Sequence, residues 1–194
     1  NEFWPSDNTD GVERLFIQWG YSYFFPAATM CDHVTSAGKE SLKFKIDVAM
    51  QGKLGFDIKV NDLSENEIAF CRNAVDNYKR LQDVLNYGSL YRLIAPYHST
   101  ITALMYVDSL RQKAVVFDYN MNVHHGDTYQ NIILRGLNPG KKYVVKEINV
   151  EAGKWNSFHE SGKTFTGEFL MKEGLGWYLN DALTSSVLEV TQVE

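Results

Sequence analysis

The stretch Trp4-Pro5-Ser6-Asp7-Asn8-Thr9-Asp10 is the part of the sequence best suited to chemistry. It places two carboxylates, two hydroxyls and one side-chain amide directly before a segment with helical periodicity. In α/β barrels the loops after the strands converge on one pocket, so a carboxylate such as Asp7 could act there as an acid, a base or a nucleophile. The same residue types also cap helix N-termini, and composition alone favours capping.

Other polar positions are weaker candidates. His33 and Trp4 could contact a substrate, although histidines more often make structural hydrogen bonds and tryptophans as often pack beneath a loop. The run His124-His125-Gly126-Asp127 contains metal-ligating types, but adjacent side chains of an extended segment point to opposite faces, so we expect a solvated loop and no metal. Asp10 and Arg14, four residues apart, are expected to pair on a helix surface.

Helices and strands alternate over the first part of the chain. The predicted elements are helix 10–20, strand Tyr21–Phe25, helix 41–51, strand Phe56–Val60 and helix 65–86. Ser64 and Glu67 predict a capping box at the start of the last helix, and Gly88 marks its end. This alternation is typical of an α/β protein, but two strands cannot bury both faces of a parallel sheet. We therefore expect a remnant of a larger α/β domain.

After Gly88 the pattern predicts strands only. The predicted strands are Leu90–Ala95, Ile101–Val107, Ala114–Tyr119, Gln130–Leu134, Tyr143–Val150, Thr164–Leu170 and Val187–Val190. Asn138-Pro139-Gly140 is a turn signal, since proline presets the first corner and glycine adopts positive φ. Short strands at this spacing predict an all-β antiparallel sandwich over residues 89–194.

The composition argues against several classes of partner. The chain has 194 residues, a net charge of −5 and no basic stripe, so nucleic acid is not expected. No apolar run approaches the ~18 residues of a membrane span, so no membrane partner is expected. Cys31 and Cys71 lie among apolar neighbours and are predicted to be reduced, buried thiols. The chain opens without methionine or a signal peptide, and we expect that start to be a cut end.

The polar stretch at Trp4–Asp10 resembles the Trp-Thr-Ser-Asp-Asn-Thr-Asp signature of family 36 glycoside hydrolases, the bacterial α-galactosidases. The resemblance continues in the same order along nearly the whole chain. The further matching segments are Glu13-Arg14-Leu15, Ile17-Gln18, Gly20, Pro26-Ala27-Ala28-Thr29-Met30, His33-Val34, Gly52-Lys53-Leu54-Gly55, Tyr87-Gly88-Ser89-Leu90-Tyr91-Arg92-Leu93, Gly136-Leu137-Asn138-Pro139 and Gly167-Glu168-Phe169-Leu170-Met171. Pro5 replaces the usual threonine, and Cys31 and Asp32 replace small residues. These differences concern substrate preference more than reaction type.

The resemblance implies that residues 1–88 are the last part of a catalytic (β/α)8 barrel, from helix six to helix eight. In this registration Tyr21–Phe25 is strand seven and Phe56–Val60 is strand eight. Residues 89–194 then form the C-terminal antiparallel β-sandwich domain that such enzymes carry.

The resemblance also implies a function. It assigns Asp7 as the general acid/base of a retaining α-galactosidase, with Trp4 and His33 as candidate substrate-binding residues. It implies α-galactoside oligosaccharides as substrates, with no cofactor and no metal. It leaves a homo-oligomer open, and it leaves the compartment open between the bacterial cytoplasm and periplasm.

Two further expectations concern activity. The family's nucleophile lies in a Lys-Trp-Asp type segment at strand four, and this sequence contains no such segment, so we expect the 194-residue chain by itself to be inactive. For residues 89–194, a carbohydrate-binding module and a purely structural module stay open as alternatives. An exposed row of aromatic side chains on one face would favour binding, and its absence would favour a structural role.

Overall fold

The computed structural model describes residues 2–194, and the chain divides into two compact units. The first unit runs up to Tyr87 and also contains the later segment Asn149–Lys154. The second unit consists of Gly88–Ile148 and Trp155–Glu194. The first unit is therefore assembled from two stretches that are far apart in sequence.

The first unit is an α/β structure with parallel strands. Its elements are α1 (Gly11–Tyr21), β1 (Cys31–Thr35), α2 (Leu42–Ala49), β2 (Lys53–Asp57) and α3 (Glu65–Tyr87), with short 3-10 turns at Ala27–Thr29 and Val60–Asp62. Strands β1 and β2 pair in parallel, and Phe3 forms an isolated parallel bridge with Met30. The prediction of a barrel remnant with alternating helices and strands is confirmed.

The helix starts are set by side chains next to them in sequence. The Ser41 hydroxyl accepts a hydrogen bond of 3.2 Å from the Phe44 amide at the start of α2, and Asp10 caps α1 in the same way. The predicted capping box of α3 is confirmed, because the Ser64 amide donates to the Glu67 carboxylate at 2.8 Å and the Glu67 amide donates to the Ser64 hydroxyl at 3.3 Å.

The predicted strand Tyr21–Phe25 is wrong. Helix α1 continues through Tyr21, and the amides of Phe24 and Phe25 both donate to the Tyr21 carbonyl, at 2.9 and 3.0 Å. These bonds close the end of the helix in a turn, so the segment does not pair as a strand despite its aromatic composition. The strand that follows α1 is β1.

The predicted strand Phe56–Val60 lies too late in the sequence. The parallel register places Cys31 opposite Lys53 and Thr35 opposite Asp57, so β2 begins at Lys53 and ends at Asp57. Pairing with β1 fixes these bounds, and the apolar residues after Asp57 belong to a loop and a 3-10 turn.

The second unit is an antiparallel β structure, as predicted. Its elements are β3 (Ser89–Ile94), β4 (Ile101–Val107), β5 (Lys113–Asn120), β6 (Lys142–Ile148), β7 (Lys163–Thr166), α4 (Gly167–Lys172) and β8 (Thr184–Val193), with a 3-10 turn at Pro96–His98. The six strands are hydrogen-bonded in one sheet in the order β3-β4-β5-β8-β6-β7.

Two predicted strands of this unit need correction. Gln130–Leu134 is not a strand, because only Ile132 pairs, in an isolated bridge with Leu175. The predicted strand Thr164–Leu170 ends at Thr166, whose hydroxyl caps the short helix α4. Threonine favours strands but also caps helices, and here the cap decides where the strand ends.

Alternate residues of the sheet build the core of the second unit. Residues that contribute from β4, β5, β6 and β8 include Ala103, Met105, Val116, Tyr143, Val145, Leu188 and Val190. Leu170 and Leu175 pack on the same cluster from outside the sheet. In β4 and β5 the residues between these are buried as well, so both strands read as continuous apolar runs in the sequence.

Two general findings bear on function. Cys31 and Cys71 are free thiols, as predicted, but each is only partly buried. In residues 2–194, no helix is both long enough and apolar enough to cross a membrane.

Candidate active site

A parallel backbone bridge places the start of the polar motif beside the residues that lead into β1. The Phe3 amide donates to the Thr29 carbonyl at 3.0 Å, and the Cys31 amide donates to the Phe3 carbonyl at 2.9 Å. The chain therefore runs beside β1 in the parallel direction, passes through Trp4–Asp10 and enters α1. A loop that leads from a parallel pairing into a helix is where α/β barrels carry their functional side chains.

The Asp7 side chain faces solvent, while its backbone carbonyl is hydrogen-bonded within the chain. The Asp7 residue is exposed, whereas its carbonyl accepts a 3.0 Å hydrogen bond from the Thr9 amide. The same carbonyl accepts a second hydrogen bond, from the Arg14 guanidinium. An exposed carboxylate on a fixed backbone is suited to meet a substrate.

Arg14 does not form the expected surface pair with Asp10. Its side chain is only 3% exposed, and its Nε donates to the Thr9 carbonyl at 3.1 Å while Nη2 donates to the Asp7 carbonyl. Nη2 also lies 3.2 Å from Nε2 of His33. Arg14 lies on the inward face of α1, and Asp10 instead caps the helix.

Asp32 lies completely buried near Arg14. Burial raises the pKa of Asp32 to about 8, although the Arg14 guanidinium lowers it. Asp32 is therefore protonated at neutral pH. Burial also lowers the pKa of Arg14, while Asp7 and the ionised form of Asp32 act to raise it. Gly52 makes room for this carboxyl group, because a Cβ atom there would lie 2.3 Å from Asp32 Oδ2.

The Trp4 ring packs against His33, which contacts the Arg14 guanidinium. Their ring centroids are 4.9 Å apart, with Trp4 64% exposed and His33 6% exposed. Burial and the charge of Arg14 lower the pKa of His33, against the opposing effects of Asp57 and Asp7, so the imidazole is neutral. Since a guanidinium can only donate, Nε2 accepts and the ring proton lies on Nδ1.

A cleft of about 690 Å³ opens where β1 and β2 end. Its lining includes Asn8 from the motif, Thr35 and Ser36 at and just after the end of β1, Lys45 from α2, and Asp57 at the end of β2. Sequence reasoning missed these lining residues because it placed both strands at the wrong positions. The sequence feature that could have identified these lining residues is the short polar segment that follows each apolar run.

The histidine pair lies in the second unit, away from the motif in sequence. His124 and Asp127 form a local turn in which the His124 amide donates to Asp127 Oδ2 at 2.7 Å, and the loop is exposed. Within residues 2–194, no group of three or more His, Cys, Asp or Glu side chains is arranged to hold a metal ion.

Comparison with known proteins agrees with this architecture. Residues 1–88 match the family model described as Melibiase, and residues 101–190 match the Glycosyl hydrolase family 36 C-terminal domain. Alpha-galactosidase Mel36A of Lactobacillus acidophilus is 36% identical over 76% of this chain and 21% of its own length. The chain thus spans about a fifth of that relative.

Solved structures show the same fold. The GH36 alpha-galactosidase AgaB from Geobacillus stearothermophilus superposes with a TM-score of 0.86 and 28% identity, over 99% of this chain and 26% of its own. A variant of AgaA from the same organism, in complex with raffinose, gives a TM-score of 0.85 and 26% identity, over 97% of this chain and 25% of its own.

Fold and site define a segment that ends an α/β barrel, carries a polar motif before α1 and continues into an antiparallel β domain. The chain belongs to the family 36 glycoside hydrolases.

Proposed function

We propose that the enzyme containing this chain is a retaining α-galactosidase and that Asp7 is its general acid/base. The observation that carries the proposal is the exposed Asp7 side chain on an internally hydrogen-bonded loop between the Phe3–Met30 bridge and α1. Family membership supports the reaction class. In this proposal residues 1–88 belong to the catalytic barrel and residues 89–194 to the C-terminal β domain, with Asn149–Lys154 packed in the first unit.

The proposed reaction is a double displacement. A second carboxylate attacks the anomeric carbon, and the bond to the leaving oxygen breaks as Asp7 gives that oxygen its proton. Asp7 then takes a proton from water, whose oxygen replaces the enzyme carboxylate at the anomeric carbon. The products are galactose with retained configuration and the free alcohol.

The substrates we propose are oligosaccharides with a terminal α-galactosyl group. The AgaA structure with bound raffinose supports this class. In this chain, the exposed indole of Trp4 offers an apolar face on which a sugar ring can stack. His33 is buried beneath Trp4, so we assign it to supporting the indole and Arg14 instead of contacting the sugar.

For the second unit a structural role is favoured over carbohydrate binding. Among the residues described there, the most exposed aromatic side chains are Tyr97, Trp155 and Phe169, which lie on a 3-10 turn, a loop and α4. A sugar-binding face needs aromatic side chains lined up on one surface, and these three belong to separate segments.

The test uses the full-length enzyme and compares Asp7→Asn with Asp10→Asn. Asp10→Asn is the control because it changes a carboxylate of the same motif and keeps a residue type that caps helices well. On raffinose, Asp7→Asn is expected to lower kcat/KM by roughly 100- to 10,000-fold, because the amide cannot donate the proton. On an aryl α-galactoside with a good leaving group the first step should suffer less. Equal losses on both substrates, or equal effects of the two variants, would argue against the acid role.

A further inference from the structure

We infer that Arg14 is the positioning residue for Asp7, a role that rests on the proposed function. Its guanidinium holds the backbone carbonyls of Asp7 and Thr9 and thereby sets the direction in which the Asp7 carboxylate points.

The contacts of Arg14 converge on one short loop. Nε donates to the Thr9 carbonyl and Nη2 to the Asp7 carbonyl, so the guanidinium binds the loop at two points two residues apart. A rigid planar fork that binds two acceptors fixes both the position and the orientation of the segment. Because the hydrogen bonds go to the backbone, they leave the Asp7 carboxylate free for substrate.

The charge of Arg14 is directed at this loop. Burial raises the pKa of the nearby Asp32 to about 8, so this carboxyl group carries little negative charge at neutral pH. Among the described residues, Nη1 of Arg14 is buried without a hydrogen-bond partner, which leaves Nε and Nη2 to make the polar contacts. Hydrogen bonds from a charged donor in a buried setting are stronger than neutral ones.

His33 extends the same arrangement to Trp4. Its neutral imidazole accepts from Nη2 of Arg14 and packs against the Trp4 ring. One guanidinium therefore contacts both the loop that carries the proposed acid and the ring that supports the exposed indole. Arg14 couples the direction of proton donation to the surface on which the sugar is expected to stack.

Lysine cannot reproduce this arrangement. An ammonium group is a point donor on a flexible chain and does not bridge two carbonyls in a fixed plane. Arg14→Lys keeps a buried positive charge but removes the two-point contact with the loop. The orientation of the Asp7 carboxylate should therefore no longer be fixed. Misplacement of a reacting group by about 1 Å lowers the rate by about 100-fold.

The experiment measures kcat/KM of the full-length enzyme on raffinose and on an aryl α-galactoside with a good leaving group. Arg14→Lys is expected to lose about 100-fold on raffinose and clearly less on the aryl substrate, since only the first needs a well-placed acid. Arg80→Lys, an exposed arginine on α3, is the matched control and should behave as wild type. A thermal melt of each variant reports any general loss of stability.

A double-mutant comparison separates positioning from a purely structural role. If Arg14 acts through Asp7, then Arg14→Lys should have little further effect on raffinose hydrolysis in an Asp7→Ala background. Multiplicative effects, or equal losses on the two substrates, would overturn the positioning role. Should the Arg14 variants not fold, His33→Leu carries the test, because it removes the acceptor that fixes the guanidinium. A loss confined to raffinose supports the role, and an equal loss on both substrates rejects it.

The two proposals fail in different ways. A wild-type enzyme without α-galactosidase activity, or an Asp7→Asn variant as active as wild type, rejects the proposed function. An enzyme that depends on Asp7, but in which Arg14→Lys behaves like Arg80→Lys, retains the function and rejects the positioning role alone.

Discussion

The side-chain amide of Asn149 donates a hydrogen bond of 2.9 Å to Oδ1 of Asp47, a fully buried carboxylate 102 positions earlier in the chain. Lys43 donates to the other oxygen, Oδ2, at 2.5 Å. Asn149 has a φ of 54°, in the left-handed region that asparagine tolerates better than most residues. The pair fixes the segment Asn149–Lys154 within the first unit.

Asn149→Ala is expected to destabilise the first unit. The variant removes a donor from a buried carboxylate, which costs about 1–3 kcal/mol, and places a Cβ-bearing residue in the left-handed region without a compensating side chain. Asn149→Gly is the control, because it removes the same donor but adopts positive φ freely. Urea denaturation should therefore rank wild type above glycine and glycine above alanine. Alanine and wild type unfolding at the same urea concentration would contradict the role of the pair.

The buried carboxyl group of Asp32 should make stability depend on pH. The folded chain holds this proton with a pKa of about 8, whereas an unfolded aspartate titrates near 4. Between these values the folded state binds more protons than the unfolded state, so this group lowers the free energy of unfolding as pH rises, by up to about 1.4 kcal/mol per unit. Below about pH 4 and above about pH 8 the contribution of Asp32 to the free energy of unfolding no longer changes with pH.

Asp32→Asn isolates this effect, since the amide mimics the neutral acid. The variant should match wild type near pH 4 and become the more stable of the two as pH rises to 8, as measured by denaturant unfolding at several pH values. Asp76→Asn, an exposed aspartate on α3, should show a constant difference from wild type. A constant difference for Asp32→Asn as well would show that Asp32 is ionised in the fold.

Two neighbouring glycines provide a matched test of packing at the site. A Cβ atom at Gly52 would lie 2.3 Å from Asp32 Oδ2 and 2.8 Å from the Met30 carbonyl, whereas at Gly55 the nearest atom would be His33 Cβ, at 3.4 Å. Gly52→Ala should lower the free energy of unfolding by about 1–3 kcal/mol through overpacking, and Gly55→Ala should be much milder. Melting temperatures check the order, and the reverse order would refute the packing.

Residues 89–194 alone are expected to fold, because the six strands and their core belong to the second unit. A cooperative thermal transition followed by circular dichroism is the measurement. Tyr143→Phe in the same truncated chain should lower the midpoint, since the buried hydroxyl donates to the Arg111 carbonyl at 2.7 Å and accepts from the Asn138 amide at 2.9 Å. A gradual transition that is insensitive to Tyr143→Phe would indicate a collapsed chain without specific packing.

The 194-residue chain by itself is expected to show no turnover of an activated aryl α-galactoside. A retaining mechanism needs two carboxylates about 5–5.5 Å apart, and the sequence offers Asp7 without a Lys-Trp-Asp segment. A purified sample and its Asp7→Ala variant should give the same background rate. Turnover that survives purification and disappears with Asp7→Ala would establish a working site in this chain.

The parts of the fold with local causes are predictable from the sequence. Helix α3 is predicted to within one residue because its apolar face and the Ser64–Glu67 capping box both lie inside or beside it. Strand β1 is missed for the opposite reason. It carries Asp32 and His33, which look like loop residues, and these polar side chains are buried beside Arg14, a residue supplied by a different element.

The same limit applies to the candidate site. The motif around Asp7 is visible in the sequence because its residue types and order are distinctive. The burial of Arg14 is not visible in the sequence. Its guanidinium donates to the backbone carbonyls of Thr9 and Asp7, and a pattern of side-chain types does not show which backbone groups act as acceptors. Helical spacing alone pairs Arg14 with Asp10, four residues earlier, and the structure gives both residues other partners.

Because Asn149–Lys154 completes the first unit, recombination between homologous genes has a constraint that sequence alignment does not reveal. A crossover at the Gly88 codon would join the barrel half of one parent to a β domain that brings the other parent's version of this segment. Chimeras that inherit the 149–154 codons together with the barrel half should keep the Asp47–Asn149 match, and a library designed with that linkage should yield more folded members than one cut only at Gly88.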